Sequence, residues 1–249
     1  MLALTGLRVG VCTGVLLCTV AGVALLRHPT ADARSARTAN SPAKQPSSAP
    51  LTAPPPATPP ADPRFARLWP LEFVSVNGGA RATLRLYDDH GNVDPAARAQ
   101  LDELLADRRD TDHVETAEMY RRTIQLLFRA AYHFETRRVE IVSGYRKPGK
   151  RREGLHAQGR AIDFKLDGVP PAKVAAYLRT LPRVGVGIYT HRRTQFVHLD
   201  SREVSFHWLD ASPPGKHWRE RSLRTKNIPL LDRAYSSETD LPEALPAQL

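Results

Sequence analysis

Ten of the 21 prolines fall between Pro29 and Pro63, in a stretch with few bulky apolar residues, and an 18-residue apolar run from Val9 to Leu26 precedes it. Neither segment can belong to a packed domain. The proline-rich stretch, centred on SPAKQPSSAPLTAPPPATPPADP, buries too little apolar surface to offset the entropy of ordering its backbone. Pro54-Pro55-Pro56 favours extended polyproline geometry, so residues 34–67 are expected to form a disordered, semi-rigid linker. What remains is roughly 185 residues, about one domain's worth.

The chain is 41% hydrophobic and 25% charged, which suffices for a core and excludes wholesale disorder. No second apolar run approaches the ~20 residues that cross a bilayer, so a polytopic membrane protein is excluded. Residues 1–33 leave two readings open. They suit a cleaved signal peptide, with Ala31-Asp32-Ala33 offering small residues before Arg34. They equally suit a retained anchoring helix, since 18 residues nearly span the hydrocarbon core. Arg27, Arg34 and Arg37 lie beyond the run, against the charge bias of an anchor with its N-terminus inside. A lipoprotein signal is disfavoured because Leu17 precedes Cys18 where a small residue is needed. Both readings predict export to the periplasm or cell envelope, with membrane contact confined to this segment.

Both cysteines, Cys12 and Cys18, sit inside the apolar run. The rest of the chain therefore excludes disulfide scaffolds, Cys-ligated zinc, iron–sulfur clusters and thiol catalysis. Any metal there must be held by His, Asp or Glu. The net charge of +10 attracts polyanions: nucleic acid, anionic lipid or an anionic wall polymer. The positive residues cluster in Arg137–Arg152 and Lys216–Arg233, without a zinc-finger, recognition-helix or RNA-platform pattern. A solvated basic surface is the simpler reading, and no nucleic-acid partner is expected.

From Leu68 the pattern changes. Leu71–Val76 and Arg81–Tyr87 alternate around Asn77-Gly78-Gly79, which predicts a hairpin. Asp94–Leu105 reads as a short helix. Asp112 with Glu115 resembles a capping box for a helix that places Met119, Thr123, Leu126, Ala130 and Phe134 on one face. Val139–Val142, Ala161–Leu166, Val184–Tyr189 and Phe196–Asp200 read as strands, and Pro170–Leu178 as a helix opened by prolines. Two early strands, helices and then several strands predict an α+β fold: a small, mainly antiparallel sheet with packed helices. The segment after Trp218 is expected to be a basic polar tail, 219–249, extended or loosely packed.

Three segments carry chemistry: Ser143-Gly144-Tyr145-Arg146 after a strand, Leu155–Asp163 running from a loop into a strand, and Gln195–Asp200 on a later strand. His156, Asp163 and His198 supply two imidazoles and a carboxylate, a three-ligand set for hydrolytic zinc with a fourth position open. His198 and Asp200, two apart on a strand, point to the same face. Asp200 can then accept a proton from the attacking water or orient an imidazole. A metal-free alternative stays open. Asp163, between Ile162 and Phe164, needs a partner when buried, and Arg160 or another arginine could be that partner.

In their joint order, SGYR, HAQGRAID, VGVGIY and FVHLD resemble the zinc D-Ala-D-Ala carboxypeptidase family of murein peptidases, in its YcbK-like branch, over roughly Leu71–Trp208. The resemblance implies a zinc peptidase domain, 68–218, acting on peptidoglycan as a monomer. It matches His156, Asp163 and His198 to the zinc ligands and Arg146 to an arginine near the scissile peptide. Ser143 and Tyr145 flank that arginine as substrate-binding candidates, one packing and one facing the cleft. Relatives place an acidic or histidine base two or three residues before the last ligand. Here Phe196 and Gln195 stand there, which leaves Asp200 as the expected base, with His191 and His207 as lesser, surface candidates. The loop Lys147–Gly154 is short and basic where relatives carry a longer one, so a carboxylate-rich substrate is expected. Two other classes remain: a zinc-stabilised peptidoglycan-binding module without catalysis, and a basic nucleic-acid-binding protein, against which the expected export argues.

Overall fold

The computed structural model describes residues 60–110, 112–149 and 154–243. The apolar run, the linker up to residue 59 and the middle of the basic loop lie outside the described residues. The hairpin forms as its alternation requires: β1 (Leu71–Ser75) pairs antiparallel with β2 (Arg81–Leu84), Leu71 opposite Leu84. Just before it a short helix, α1 (Pro63–Ala66), starts where the Asp62 carboxylate accepts the Arg64 N–H at 2.8 Å. Phe65 on this helix is buried, so ordered structure begins inside the expected linker. Helix α2 (Pro95–Leu104) is capped by Asp94, which accepts the N–H groups of Ala96 and Ala97, and buries Ala97, Leu101 and Leu104 at helical spacing.

Helix α3 (Arg121–His133) begins later than the capping-box signal places it. Glu115 instead bridges to Asp107 through reciprocal backbone bonds, and the helix starts at Tyr120, whose N–H donates to the Gly159 carbonyl at 2.8 Å. A tertiary contact therefore sets this terminus. Thr123, Leu126 and Ala130 are buried on α3 as expected, Met119 is buried just ahead of it, and Phe134 terminates it.

The remaining strands are β3 (Arg138–Ser143), β4 (Ala161–Leu166), β5 (Val184–Tyr189), β6 (Phe196–Ser201), β7 (Phe206–Asp210) and β8 (Glu220–Ser222), with helix α4 (Pro171–Leu178) between β4 and β5. They complete an eight-stranded mixed sheet in the order β2-β1-β3-β4-β6-β5-β7-β8, larger than expected. β1–β3 and β5–β7 are parallel and the other neighbours antiparallel. The fold is α+β.

The register divides the sheet into two chemically distinct faces. Ile162, Phe164, Val184, Val186, Ile188, Val197 and Leu199 join the core beneath α3 and α4. The opposite face carries Asp163, His198, Asp200, Tyr189 and Trp208 in adjacent pairs. A bulge in β3, between Ile141 opposite Phe164 and Ser143 opposite Asp163, turns Ser143 onto that second face.

The segment after Trp218 is extended only at β8. After β8 it forms α5 (Ile228–Arg233) and a 3-10 turn at Ser237–Asp240, and two of its acids are buried. Asp240 receives the Arg122 guanidinium at 2.9 Å, and Asp232 accepts from the Ser205 N–H and hydroxyl at 2.8 and 2.6 Å.

Candidate metal centre

His156 lies in a 3-10 turn, Leu155–Gln158, that ends at Gly159 with φ +65°. A side chain at Gly159 would strain this left-handed backbone and place its Cβ 2.8 Å from the Glu118 carbonyl, so glycine is required for the chain to turn into β4. Four residues on, Asp163 faces His198 directly across the β4–β6 ladder. All three side chains are buried, and one donor atom from each lies within 4.8 Å of the others. The sequence-predicted trio is thus brought together.

Hydrogen bonds define which atoms converge. His156 Nδ1 meets the Gly144 carbonyl at 2.6 Å, so it carries the proton and Nε2 presents a lone pair. That Nε2 lies 3.3 Å from His198 Nδ1 and 3.5 Å from Asp163 Oδ2, while His198 Nδ1 lies 2.8 Å from Asp163 Oδ1. The Nε2 of His198 donates to Asp200 Oδ2 at 3.0 Å. Three electron-pair donors therefore face one another. Such a constellation is satisfied by a proton on His198 Nδ1 or by a cation, and it fits a divalent ion taking nitrogen and oxygen donors.

The electrostatics follow the same geometry. Burial would raise the Asp163 carboxyl, but His156 and His198 outweigh it and hold it well below the ordinary carboxylate range. Burial pushes the His156 imidazole down, so it stands neutral. Burial would also lower His198, yet Asp163 and Asp200 on its two sides raise it to about 9.

Asp200 has no exposed surface, and both its oxygens are engaged, by His198 and by Arg202, whose Nε donates at 2.6 Å. It sits on the Nε2 side of the His198 ring, whereas His156 and Asp163 sit on the Nδ1 side. Asp200 and the three converging donors therefore lie on opposite edges of the His198 ring. Arg146 bonds Asp163 through one terminal nitrogen and donates from Nε to Ser143 Oγ at 2.8 Å. The arginine partner of Asp163 is thus Arg146, not Arg160. Ser143 and Tyr145 line a separate small cavity with Ser75 and Asn77, and Tyr145 packs against the core. His207 is not a surface residue: it is buried on the helix-bearing face of β7, bonds Thr225 Oγ1 at 2.7 Å, and is lowered to about 4 by burial. His191 holds a turn before β6 instead, receiving the Arg193 N–H and offering its carbonyl to Thr194.

Several residues of the site escaped the sequence reading. The two glycines of VGVG, Gly185 and Gly187, occupy the open face opposite Asp200 and His198. A Cβ at Gly185 would fall 2.2 Å from the Asp200 carboxylate, and one at Gly187 2.5 Å from the Trp208 indole. Bare backbone here makes room for Asp200 beneath His198 and for Trp208, whose ring lies 4.9 Å from the His198 ring. Trp208 and Arg202 carried no local signal, although the alternation of Gly and Val marked a strand with one bare face.

The site is thus a buried His-Asp-His cluster on the open face of a mixed sheet, with an arginine on its carboxylate. Residues 64–208 match the family model described as peptidoglycan L,D-endopeptidase MepK, and the chain belongs to that family of peptidoglycan endopeptidases. The chain is 29% identical over 151 residues to the probable peptidoglycan L,D-endopeptidase MepK of Haemophilus influenzae, covering 54% of this chain and 76% of the relative. No solved structure matches the chain.

Proposed function

We propose that the protein is a zinc-dependent peptidase that hydrolyses amide bonds in the stem peptides or cross-links of peptidoglycan. The observation that carries this is the convergence of His156 Nε2, His198 Nδ1 and an Asp163 oxygen inside the span matched by the family. Zinc bound there would supply a Lewis acid and lower the pKa of a water towards ~7. The chain's own residues do the rest. Gly144 fixes the tautomer of His156, and Asp200, braced by Arg202, holds the Nε2–H of His198 and so aims its Nδ1 at the centre. Arg146, oriented by Ser143 and half-exposed, offers charge-assisted hydrogen bonds to a substrate carbonyl or carboxylate. The N-terminal run and proline-rich linker suit a catalytic head held in the cell envelope.

A second reading, a wall-binding module without catalysis, draws on one observation. Gln195 and Phe196 cannot take a proton, and Asp200 is committed behind His198. One experiment separates the two. The full chain, loaded with zinc, is incubated with purified peptidoglycan beside a chelator-treated sample and His198→Ala, and released fragments are identified by mass spectrometry. Peptide fragments from the loaded wild type alone support the peptidase and name its bond. Wall binding with zinc retained and no fragments selects the binding module.

A further inference from the structure

Tyr189 ends β5 on the open face of the sheet, one step along the strand pair from Gly187 and His198. Its ring stacks on Phe196, with centroids 4.3 Å apart and planes inclined by 19°, which fixes the direction of the phenol. Tyr189, Phe196, Thr194, Arg146 and Asp163 line one cavity of about 250 Å³. The Trp208 indole N–H donates to the Tyr189 oxygen, whose own O–H has no protein acceptor among the described residues, although it stands close enough to Asp163 to feel its charge. Arg146 spends Nε on Ser143 and one terminal nitrogen on Asp163, which leaves its other terminal nitrogen as a second donor facing the cavity. The cavity wall therefore holds a rigid, neutral O–H, its oxygen held by Trp208 and its proton without a protein acceptor among the described residues, beside the carboxylate of the candidate metal centre.

We infer that the Tyr189 hydroxyl is a catalytic hydrogen-bond donor to the oxygen of the amide carbonyl under attack, strongest when that oxygen becomes tetrahedral and negative. This deepens the peptidase reading and rests on it. No proton leaves the phenol in this role. Burial and the Asp163 charge push its pKa up to about 12, which keeps the donor intact at neutral pH. Loss of one such preorganised donor typically costs about 10²–10³ in kcat. The stacked ring explains why phenylalanine alone would not serve: position and packing would survive, and the donor would not.

The test is Tyr189→Phe in the zinc-loaded full chain, a change that keeps the stacking on Phe196. Two readouts are taken beside zinc content: steady-state cleavage of peptidoglycan fragments, and the Kd of an alanine phosphinate pseudodipeptide, a tetrahedral anionic mimic. The expected result is kcat lowered about 100-fold, KM within about threefold, phosphinate binding weakened at least about tenfold and zinc content unchanged. Phosphinate binding within about twofold of wild type, or wild type that binds no phosphinate, overturns the inference. Wild type that cleaves nothing yet binds phosphinate through Tyr189 overturns the peptidase reading and with it the catalytic role, leaving Tyr189 a ligand contact only.

Discussion

Asp200→Asn separates orientation from proton transfer. The carboxylate lies fully buried, with Oδ2 accepting the His198 Nε2–H at 3.0 Å and Oδ1 accepting the Arg202 Nε–H at 2.6 Å. Burial would raise this acid, but Arg202 and His198 outweigh it and hold it at about 2, so the wild-type group is a charged acceptor on both sides. An asparagine offers one acceptor and one donor. Turned either way, it sets an N–H against the N–H of His198 or of Arg202, a mismatch costing about 1–3 kcal/mol in a buried site. If Asp200 orients His198, the loss falls on the metal: about 10–100-fold weaker zinc binding, equivalent to about 1.4–2.7 kcal/mol. Turnover should then return towards wild type at saturating zinc. The assay is a zinc titration against a competing chelator, paired with kcat measured at several free zinc concentrations. A kcat that collapses at saturating zinc while zinc affinity stays at the wild-type value would refute the reasoning and make Asp200 the proton acceptor.

Much of the site was legible in the sequence because it rests on strand periodicity. Short apolar runs placed β4 and β5 at their observed limits, and i,i+2 spacing put His198 and Asp200 on one face. Spacing does not say which ring nitrogen points where. The distinction between a base and an orienting acid depends on His156 meeting the Gly144 carbonyl and on Arg202 closing over Asp200, both tertiary facts. Strand β7 was missed for a related reason. Phe206, Trp208 and Asp210 face the open side and His207 and Leu209 the helices, so no polar–apolar alternation marks it. At α3 a plausible local cap lost to a long-range bond from Tyr120 to Gly159. The tail looked loose because it is polar with no run of apolar periodicity, yet Asp240 finds Arg122 across 118 positions.

Three further predictions test the fold around the site. Gly187→Ala drives a Cβ to 2.5 Å from the rigid Trp208 indole and should destabilise the domain by about 1–3 kcal/mol; an unchanged thermal midpoint would show that the ring gives way freely. Asp240→Ala strips the buried Arg122 of its carboxylate while leaving it the Pro182 and Arg183 carbonyls, so a loss near 3 kcal/mol is expected. A wild-type urea midpoint would mean that the tail contributes nothing to folding. Asp107 governs the acid side. Its carboxylate accepts from Arg109 Nε at 2.9 Å and from the Lys147 N–H at 2.8 Å, pinning the residue that follows Arg146. The Arg109 guanidinium and these N–H groups hold the acid well below the ordinary range. Because the folded value is depressed, the stability it contributes is fully present above the unfolded value of about 3.9 and is lost as pH falls below it. Thermal midpoints of wild type and Asp107→Asn should therefore differ at pH 7 and converge as pH drops from about 4 towards 2. Parallel curves across that range would mean the carboxylate gains nothing from its partners. Convergence would place the anchor of the Arg146 loop on a charge that acid removes.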